Sequence, residues 1–157
     1  MWFRLPRAQW SRQVGPGNKR ALKAIVDLGQ VPGLLAYVAG EPVAWCSIGP
    51  RDVYSALERS RNLKRVDEQP AWSVVCFFVD RAFRGRGIMA PLLTAAVDYA
   101  RAHGAQMVEG YPIDPERTKA TPSSSYTGLV PVFRKVGFVE VLRRSPRQPI
   151  MRYTVAQ

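Results

Sequence analysis

Short apolar runs in the first half of the chain predict a β-hairpin followed by a buried strand. The runs Leu34–Val38 and Val43–Ile48 flank Ala39-Gly40-Glu41-Pro42, so they are expected to pair antiparallel through a short turn. The run Trp72–Val79 is apolar almost throughout, which is typical of a strand buried on both faces in the middle of a sheet. The polar stretch Arg51–Gln69 predicts a short helix and a surface connection.

Helical periodicity follows the buried strand directly. Apolar residues between positions 89 and 100 fall on one stripe of an amphipathic helix, which is expected to begin at about Gly87 or Ile88 and to stop at Gly104. The remaining patterns predict helices over Asn18 to Leu28 and about Thr127 to Val136, and strands over Gln106–Tyr111, Phe138–Leu142 and Ile150–Val155. This order predicts an α/β fold with a mixed sheet and a strand-helix-strand crossover at its centre.

Length and charge limit the class of protein. A chain of 157 residues is expected to form a single domain over residues 1–157. Its net charge of +11 predicts attraction to anions, and a nucleic acid, a membrane surface and a phosphate-rich cofactor all qualify. The basic residues are scattered, which disfavours a nucleic acid as the partner. Without a spanning-length apolar stretch or a signal-peptide pattern, we expect a cytoplasmic protein with no membrane partner.

The metal-ligating residue types are few. Cys46 and Cys76 both lie inside apolar runs that predict strands, and His103 is the sole histidine of the sequence. A zinc site usually requires close clusters of these residues. We therefore expect no metal site and two buried, reduced thiols.

The segment Arg84-Gly85-Arg86-Gly87-Ile88 joins the buried strand to the amphipathic helix. A helix leaves its first backbone N–H groups unpaired and is partly positive at that end, so it can bind phosphate where no side chain blocks the approach. The two glycines leave the approach open, and the two arginines can pair with phosphate oxygens. Pro91 has no N–H and suits the first turn of a helix that begins here. The segment predicts a pyrophosphate-binding turn.

Spacing alone leaves a second interpretation of this segment open. A plain strand-to-helix turn with two glycines for tight geometry is an equal alternative. The segment departs from the dinucleotide pattern G-x-G-x-x-G because Ala90 stands at the third glycine position. It also lacks the terminal Lys-Ser/Thr of a P-loop.

Residues 79–89 resemble the acetyl-CoA signature of the GCN5-related N-acetyltransferase (GNAT) superfamily. That signature is Arg/Gln-x-x-Gly-x-Gly/Ala, and Arg84, Gly87 and Met89 fall on its three defined positions. Phe133–Phe138 is similar to the family's C-terminal helix and the strand after it. The matched segments cover roughly residues 72–142, and the resemblance is to members that act on small molecules.

The resemblance implies acetyl-CoA as the acyl donor substrate and an amine as the acceptor. Two central strands of the family's sheet splay apart, and Phe77, Phe78 and Val79 match the positions whose backbone pairs with the pantetheine arm as an added strand would. The positions that match the pyrophosphate site are Arg84, Gly85, Arg86, Gly87, Ile88, Met89 and Ala90. The implied reaction is direct attack of the amine on the thioester, assisted by a base, by polarising backbone N–H groups and by an acid for the leaving thiolate.

Two residues depart from the family pattern at the expected cofactor site. Met89 stands where the family prefers Gly or Ala, so the helix start is more crowded. Phe133 occupies a cofactor-site position where many members carry a tyrosine that protonates the thiolate, and phenylalanine cannot donate a proton. Tyr126 is the nearest candidate for that acid in the sequence, with a packing or loop residue as the alternative.

The start of the chain also departs from the family. Members usually begin with a strand and a helix before the helix expected at Asn18 to Leu28, whereas this chain has a short lead-in with Trp2, Phe3 and Trp10. Either the start is truncated, or these aromatic residues cover the edge of the sheet in another way. An uncovered edge strand invites pairing with another chain, so a homodimer is a hypothesis.

Glu109 is the leading candidate for the catalytic base. It lies on the strand after the amphipathic helix, where partial burial would raise the pKa of its carboxyl toward a working value. An ion-paired strand carboxylate is an equal alternative, and Asp80 and Asp114 are weaker candidates because strand ends favour solvated caps. If Glu109 is the base, Glu109→Gln lowers the turnover rate far more than it weakens cofactor binding.

Two other classes of function stay open on the sequence. A basic nucleic-acid-binding module would explain the charge, and a relative that binds acyl-CoA without catalysis would explain Phe133. The acceptor is expected near the polar loop Pro112 to Ser125. A positively charged protein does not attract polycations, which favours small neutral or acidic amines.

Overall fold

The computed structural model describes residues 1–119, 121 and 124–155. The strands are Leu34–Val38 (β1), Glu41–Pro50 (β2), Trp72–Val79 (β3), Met107–Gly110 (β4), Val139–Leu142 (β5) and Ile150–Thr154 (β6). The helices are Arg7–Arg12 (α1), Pro16–Asp27 (α2), Ser55–Glu58 (α3), Met89–Ala102 (α4) and Val130–Val136 (α5). Short 3-10 turns lie at Arg51–Val53, Arg81–Phe83 and Ser125–Thr127.

The six strands form one mixed sheet in the order β1-β2-β3-β4-β6-β5. Neighbouring strands pair antiparallel except β3 and β4, which run parallel. A parallel pair needs a crossover connection because both strands start at the same end of the sheet, and α4 supplies it here. The predicted α/β fold with a central strand-helix-strand crossover is confirmed.

The turn of the first hairpin is shorter than the sequence predicts. β1 and β2 pair from Val38 and Glu41 outward, so only Ala39 and Gly40 form the turn. Their φ angles are 50° and 84°. Two successive left-handed residues match the twist of the flanking strands, which is why such two-residue turns are common in hairpins. β2 consequently covers ten residues rather than the predicted Val43–Ile48.

The last helix begins three residues later than predicted. The prediction placed its start at about Thr127, but that residue ends a 3-10 turn, and Gly128 follows with φ 95° and ψ −179°. This extended, positive-φ conformation interrupts the helical backbone. α5 then begins at Val130 with Pro131 in its first turn, where a missing N–H is tolerated.

Before β1, residues 1–33 form two helices and no strand. β1 is therefore an edge strand, with Leu35, Tyr37 and Val38 substantially exposed. The aromatic residues of the lead-in lie elsewhere: Trp2 packs edge-on against Trp10 at 5.0 Å between ring centroids, and Phe3 is buried. No helix in residues 1–119, 121 and 124–155 has the length and apolar character needed to cross a membrane.

Two hydrophobic clusters cover the two faces of the sheet. The larger one contains Val74 and Phe77 of β3 and packs beneath α4 and α5. The second contains Val75 of β3 together with Tyr54 and Leu57 from the connection between β2 and β3. Clusters on both faces explain why β3 is apolar almost throughout.

The connection between β2 and β3 is buried more deeply than predicted. A short helix is present, as expected, but Tyr54 and Leu57 are fully buried and Arg51 is 3% exposed. Burial raises the pKa of Tyr54 to about 12. The polar composition of the stretch suggested a surface connection, whereas its few apolar residues are enough to pack it onto the sheet.

Gly110 makes room for the ring of Phe133. A Cβ at Gly110 would lie 2.0 Å from Cε1 and 2.8 Å from Cζ of that ring. We expect Gly110→Ala to lower the free energy of unfolding by about 2 kcal/mol, because the ring must shift within a packed core. Urea unfolding measures this, and Phe133→Leu in the same chain should restore most of the loss. An unchanged midpoint for Gly110→Ala would contradict the packing described.

Candidate active site

The parallel strands β3 and β4 separate halfway along β3. They pair only over Trp72–Val74 and Val108–Gly110. β4 then ends, while β3 continues for five more residues to Val79. The second half of β3 therefore has a neighbouring strand on one side only, and a cleft opens along its other side.

Backbone groups of β3 face this cleft. The Asp80 N–H donates to the Val43 carbonyl at 2.8 Å. Because bonded and non-bonded pairs alternate in an antiparallel ladder, Phe78 pairs with β2, while Phe77 and Val79 direct their N–H and C=O groups away from β2. The N–H and C=O of Phe77 and the N–H of Val79 can bond an extended ligand as an added strand would, whereas the Val79 carbonyl already accepts from Arg84 Nε.

A β-bulge lies just before the free half of β3. Ser47 pairs with Cys76 and Ile48 pairs with Val74, so Val75 is the extra residue. A bulge bends its strand and increases its twist, and bulges are common next to active sites.

The turn that leads into α4 has the open geometry that the sequence predicts. Gly85 and Gly87 both have φ 75°, and no atom would lie within 4 Å of a Cβ at either position. α4 begins at Met89, which puts Pro91 at its third position. Within the part of the chain that the structure describes, the N–H groups of residues 87–90 have no hydrogen-bond acceptor. A phosphate group fits these unpaired donors.

The two arginines of this turn are both exposed but differ in their contacts. Arg84 Nε donates to the Val79 carbonyl at 3.0 Å, which ties the turn to the end of β3. Arg86 places its guanidinium over the Phe83 ring, 5.0 Å from the centroid. Both positive charges lie beside the unpaired N–H groups, where they favour an anion.

The strand edge and the turn line one cavity of about 510 Å³. The predicted site residues that line it are Phe77, Phe78, Val79, Arg84, Gly85, Gly87, Ile88, Met89 and Tyr126. The other predicted site residues, Arg86, Ala90, Glu109 and Phe133, do not line it. Phe78 is 57% exposed here, unlike the rest of β3, because β4 has already ended.

Met89 points partly into the protein. Its side chain is half-buried and packs against the larger core cluster, and it also lines the cavity. The larger residue at this family position is thus accommodated by the core beneath α4.

Tyr126 lies in the wall of the cavity. It belongs to the 3-10 turn Ser125–Thr127, is 38% exposed, and has its ring 6.3 Å from that of Phe3. Partial burial raises the pKa of its hydroxyl, and nearby Arg147 acts in the opposite direction. A phenol with a raised pKa is protonated at neutral pH and can donate a proton.

Phe133 lies in the core rather than at the cavity surface. It is fully buried, with its ring centroid 6.1 Å from Phe77 and 4.9 Å from Phe138. A Cβ on Gly128 would lie 2.5 Å from the same ring. Phe133 therefore packs against Phe77 of β3 from the side of the larger core cluster.

Glu109 is the centre of a buried ion-pair network. Its Oε2 accepts from Arg51 Nη1 at 3.0 Å and from the Tyr111 hydroxyl at 2.9 Å, and its Oε1 accepts from Arg152 Nε at 2.9 Å. Glu109 is 1% exposed. Burial, followed by the carboxylate of Glu109, raises the pKa of Tyr111. The contacts of Glu109 match the alternative of an ion-paired strand carboxylate.

The same network fixes the connection between β2 and β3. Arg51 also donates to the Leu63 carbonyl at 2.8 Å, and Arg152 binds both carboxylate oxygens of Asp67 at 2.6 and 2.9 Å. The hydrogen bond from Arg152 lowers the pKa of Asp67. The buried Arg51 and the partly buried Arg152 thereby hold an otherwise irregular segment on the sheet.

Glu109 and the cavity are separated along the direction of the strands. Glu109 pairs with Ser73, whereas the cavity begins at Phe77. Four residues of strand correspond to about 13 Å. The structure therefore brings Tyr126 to the cleft but not Glu109.

Asp114 also differs from its expected place. The sequence suggested a solvated cap, but its carboxylate is 3% exposed and lies 2.9 Å from Arg143 Nη2. The ion pair anchors the start of the polar loop to the connection between β5 and β6.

Phe83, Thr121, Ser125 and Leu129 complete the cavity wall. Thr121 and Ser125 belong to the polar loop near which the acceptor was expected, whereas the sequence did not point to Phe83 and Leu129. An isolated parallel bridge between Ile113 and Leu129 brings this loop back to the end of β4. No local pattern predicts such a contact. The polar loop expected from Pro112 to Ser125 includes residues 120, 122 and 123, which lie outside the described residues.

A mixed sheet with a split parallel pair and a glycine turn at the following helix can accommodate an extended, phosphate-bearing ligand. The acetyltransferase (GNAT) family model matches residues 1–122. This is well over half of the chain, and the chain therefore belongs to the GNAT acetyltransferase family. No curated protein sequence matches it significantly.

Solved structures share the fold at low sequence identity. A ribosomal-protein-alanine N-acetyltransferase from Brucella melitensis is 19% identical with TM-score 0.57, over 93% of this chain and 83% of that one. A proposed acetyltransferase from Salmonella typhimurium with its cofactor acetyl-CoA is 19% identical with TM-score 0.58, over 92% and 76%. A GNAT acetyltransferase from Streptococcus agalactiae is 12% identical with TM-score 0.57, over 95% and 79%. At these identities the comparison shows the fold.

Proposed function

We propose that this protein transfers the acetyl group of acetyl-CoA to the nitrogen of an amine acceptor. The observation that carries the proposal is the shared cavity. The free edge of β3 and the unpaired N–H groups at the start of α4 line the same space of about 510 Å³. The two features suit the two halves of the donor, an amide-containing arm and a pyrophosphate. A solved structural neighbour with acetyl-CoA supports the choice of donor.

The residues that hold the donor follow from the geometry. The backbone of Phe77 and Val79 bonds the pantetheine arm, and residues 85–90 bind the pyrophosphate with help from Arg84 and Arg86. A backbone N–H of β3 polarises the thioester carbonyl. The amine nitrogen forms a bond to the carbonyl carbon as the carbon–sulfur bond breaks, which yields an amide and a thiol.

The reaction also needs an acid for the leaving thiolate and a base for the amine proton. Tyr126 is the candidate acid for the leaving thiolate, because it lines the cavity and the position of the usual tyrosine is a buried Phe133. Glu109 stays a candidate base, although its ion pairs with Arg51 and Arg152 favour a structural role. The amine proton can also leave through water at the open side of the cleft.

We expect Tyr126→Phe to lower kcat about a hundredfold, with little change in the KM for acetyl-CoA, since general acid catalysis contributes on this scale. Steady-state kinetics with a thiol-release readout measures both constants. Tyr37→Phe is the matched control, because Tyr37 is an exposed tyrosine on edge strand β1. Equal kcat values for the two variants would remove Tyr126 from the mechanism.

The proposed function is tested in two steps. A ligand that binds only the folded state raises the midpoint of thermal unfolding, so acetyl-CoA should raise it. An amine panel assayed for thiol release then tests transfer. A midpoint raised by acetyl-CoA without transfer to any amine would favour the non-catalytic relative. No response to millimolar acetyl-CoA, together with a salt-sensitive response to DNA, would favour the nucleic-acid-binding module.

A cytoplasmic location, a single domain and a homodimer formed through β1 belong to the same proposal. The two free thiols, Cys46 and Cys76, suit a reducing compartment. β1 leaves one edge of the sheet without a neighbouring strand, which a second copy could cover. Light scattering over a wide concentration range tests the dimer, and a constant monomer mass would exclude it.

A further inference from the structure

Arg147 has no hydrogen-bond or ion-pair partner for its side chain among the described residues, whereas the two other arginines of the same connection are both engaged. It lies in the connection between β5 and β6 and is exposed. In the same connection, Arg143 pairs with Asp114 at 2.9 Å and with Glu140 at 2.7 Å. Arg144 donates to the Lys64 carbonyl at 2.7 Å. Of the three arginines in this connection, Arg147 alone has a guanidinium without a hydrogen-bond or ion-pair partner among the described residues.

The backbone around Arg147 is fixed beside the cavity wall. Its carbonyl accepts from the Asp114 N–H at 2.8 Å. The next residue, Gln148, donates to the Thr127 hydroxyl at 3.4 Å and to the Tyr111 carbonyl at 2.8 Å. These bonds place Arg147 next to Tyr126, and burial and the Arg147 charge act in opposite directions on the pKa of that tyrosine.

The cavity beside this arginine has no negative charge of its own. Its lining residues include no aspartate or glutamate, and Arg84 is its sole charged residue among those described. Asp114, which contacts the Arg147 backbone, is buried and paired with Arg143. A polycationic acceptor would find no counter-charge here, whereas an anionic group would find a free guanidinium.

We propose that Arg147 binds a carboxylate of the acceptor, so that the acceptor is an amine that also carries a carboxylate, such as an amino acid. Guanidinium and carboxylate match in geometry and form two parallel charge-assisted hydrogen bonds. The inference rests on the proposed acetyl transfer and names its substrate class.

The test compares each amino acid of a panel with the amine that remains when its carboxylate is removed. The ratio of kcat/KM for the two members reports the contribution of the carboxylate. We expect the unmodified protein to favour the carboxylate-bearing member at least about tenfold, the scale of a charge-assisted hydrogen bond. Arg147→Gln should reduce this ratio by about tenfold, and Arg147→Lys should reduce it less.

Arg20→Gln is the matched control, because it removes the same charge from an exposed position on α2 and should leave the ratio unchanged. A ratio near one in the unmodified protein, an unchanged ratio in Arg147→Gln, or no acetylation of any carboxylate-bearing amine would overturn the inference. The thermal response to acetyl-CoA and transfer to amines without a carboxylate test the proposed function separately. The two failures are therefore distinguishable.

Discussion

Gly87→Val is expected to weaken acetyl-CoA binding by about a thousandfold. The variant places a branched side chain in the open space at the start of α4, beside the unpaired N–H groups of residues 87–90. A pyrophosphate kept away from these donors loses at least two charge-assisted hydrogen bonds of about 2 kcal/mol each, which amounts to about a thousandfold in affinity. Isothermal titration with acetyl-CoA measures the loss.

Gly29→Val separates this effect from backbone strain. Gly29 has the same φ of 75° and the same open surroundings, but it lies after α2, outside the cavity lining. Both variants bear the strain of a side chain in the left-handed region, so both should lower the unfolding midpoint to a similar extent. If both variants bind acetyl-CoA as the unmodified protein does, the glycine turn is a plain turn rather than a phosphate site.

The second large effect is expected at Glu109. Glu109→Gln removes the charge that compensates Arg51 and Arg152 inside the protein, and Arg51 is 3% exposed. Removing one partner of a buried ion pair leaves an uncompensated buried charge, so we expect the free energy of unfolding to fall by about 3 kcal/mol. Urea unfolding measures this change directly.

Kinetics on the same variant discriminates between the two roles of Glu109. If the carboxylate is structural, stability falls and the turnover of the folded fraction changes little. If Glu109 is the base, turnover falls far more than cofactor binding, whatever happens to stability. Asp98→Asn is the control for stability: its pair with Arg101 is exposed, and its loss should cost less than about 0.5 kcal/mol. Equal stabilities for the two variants would exclude the structural role.

The parts of the fold that depend on local pattern were predictable. The start of α4 follows from Gly87 and Pro91, and β1 has the predicted bounds, because periodicity and breaker residues act over a few neighbouring positions. The glycine turn was predictable for the same reason. Apart from α1, a helix that was not predicted, the errors of local origin lie at element ends, as at Gly128, where a positive φ delays α5.

The rest depends on contacts between distant residues. Nothing around Arg51 indicates that it will be buried, because its partners Glu109 and Tyr111 follow 58 and 60 residues later. Phe133 was expected at the cofactor site by resemblance, yet its burial depends on Gly110 and Gly128. Tyr126 reaches the cavity only because its loop returns to β4 near Ile113. Sequence spacing does not encode these contacts.

The ion-pair network also constrains the order in which the chain can fold. Arg152 and Asp67 are 85 residues apart, and Arg144 and Lys64 are 80 apart. During synthesis the chain emerges from its N-terminus, and contacts of such large separation form late because closing long loops costs entropy. The ion pairs that Arg152 makes with Asp67 and Glu109 therefore cannot form until the final strand has been made.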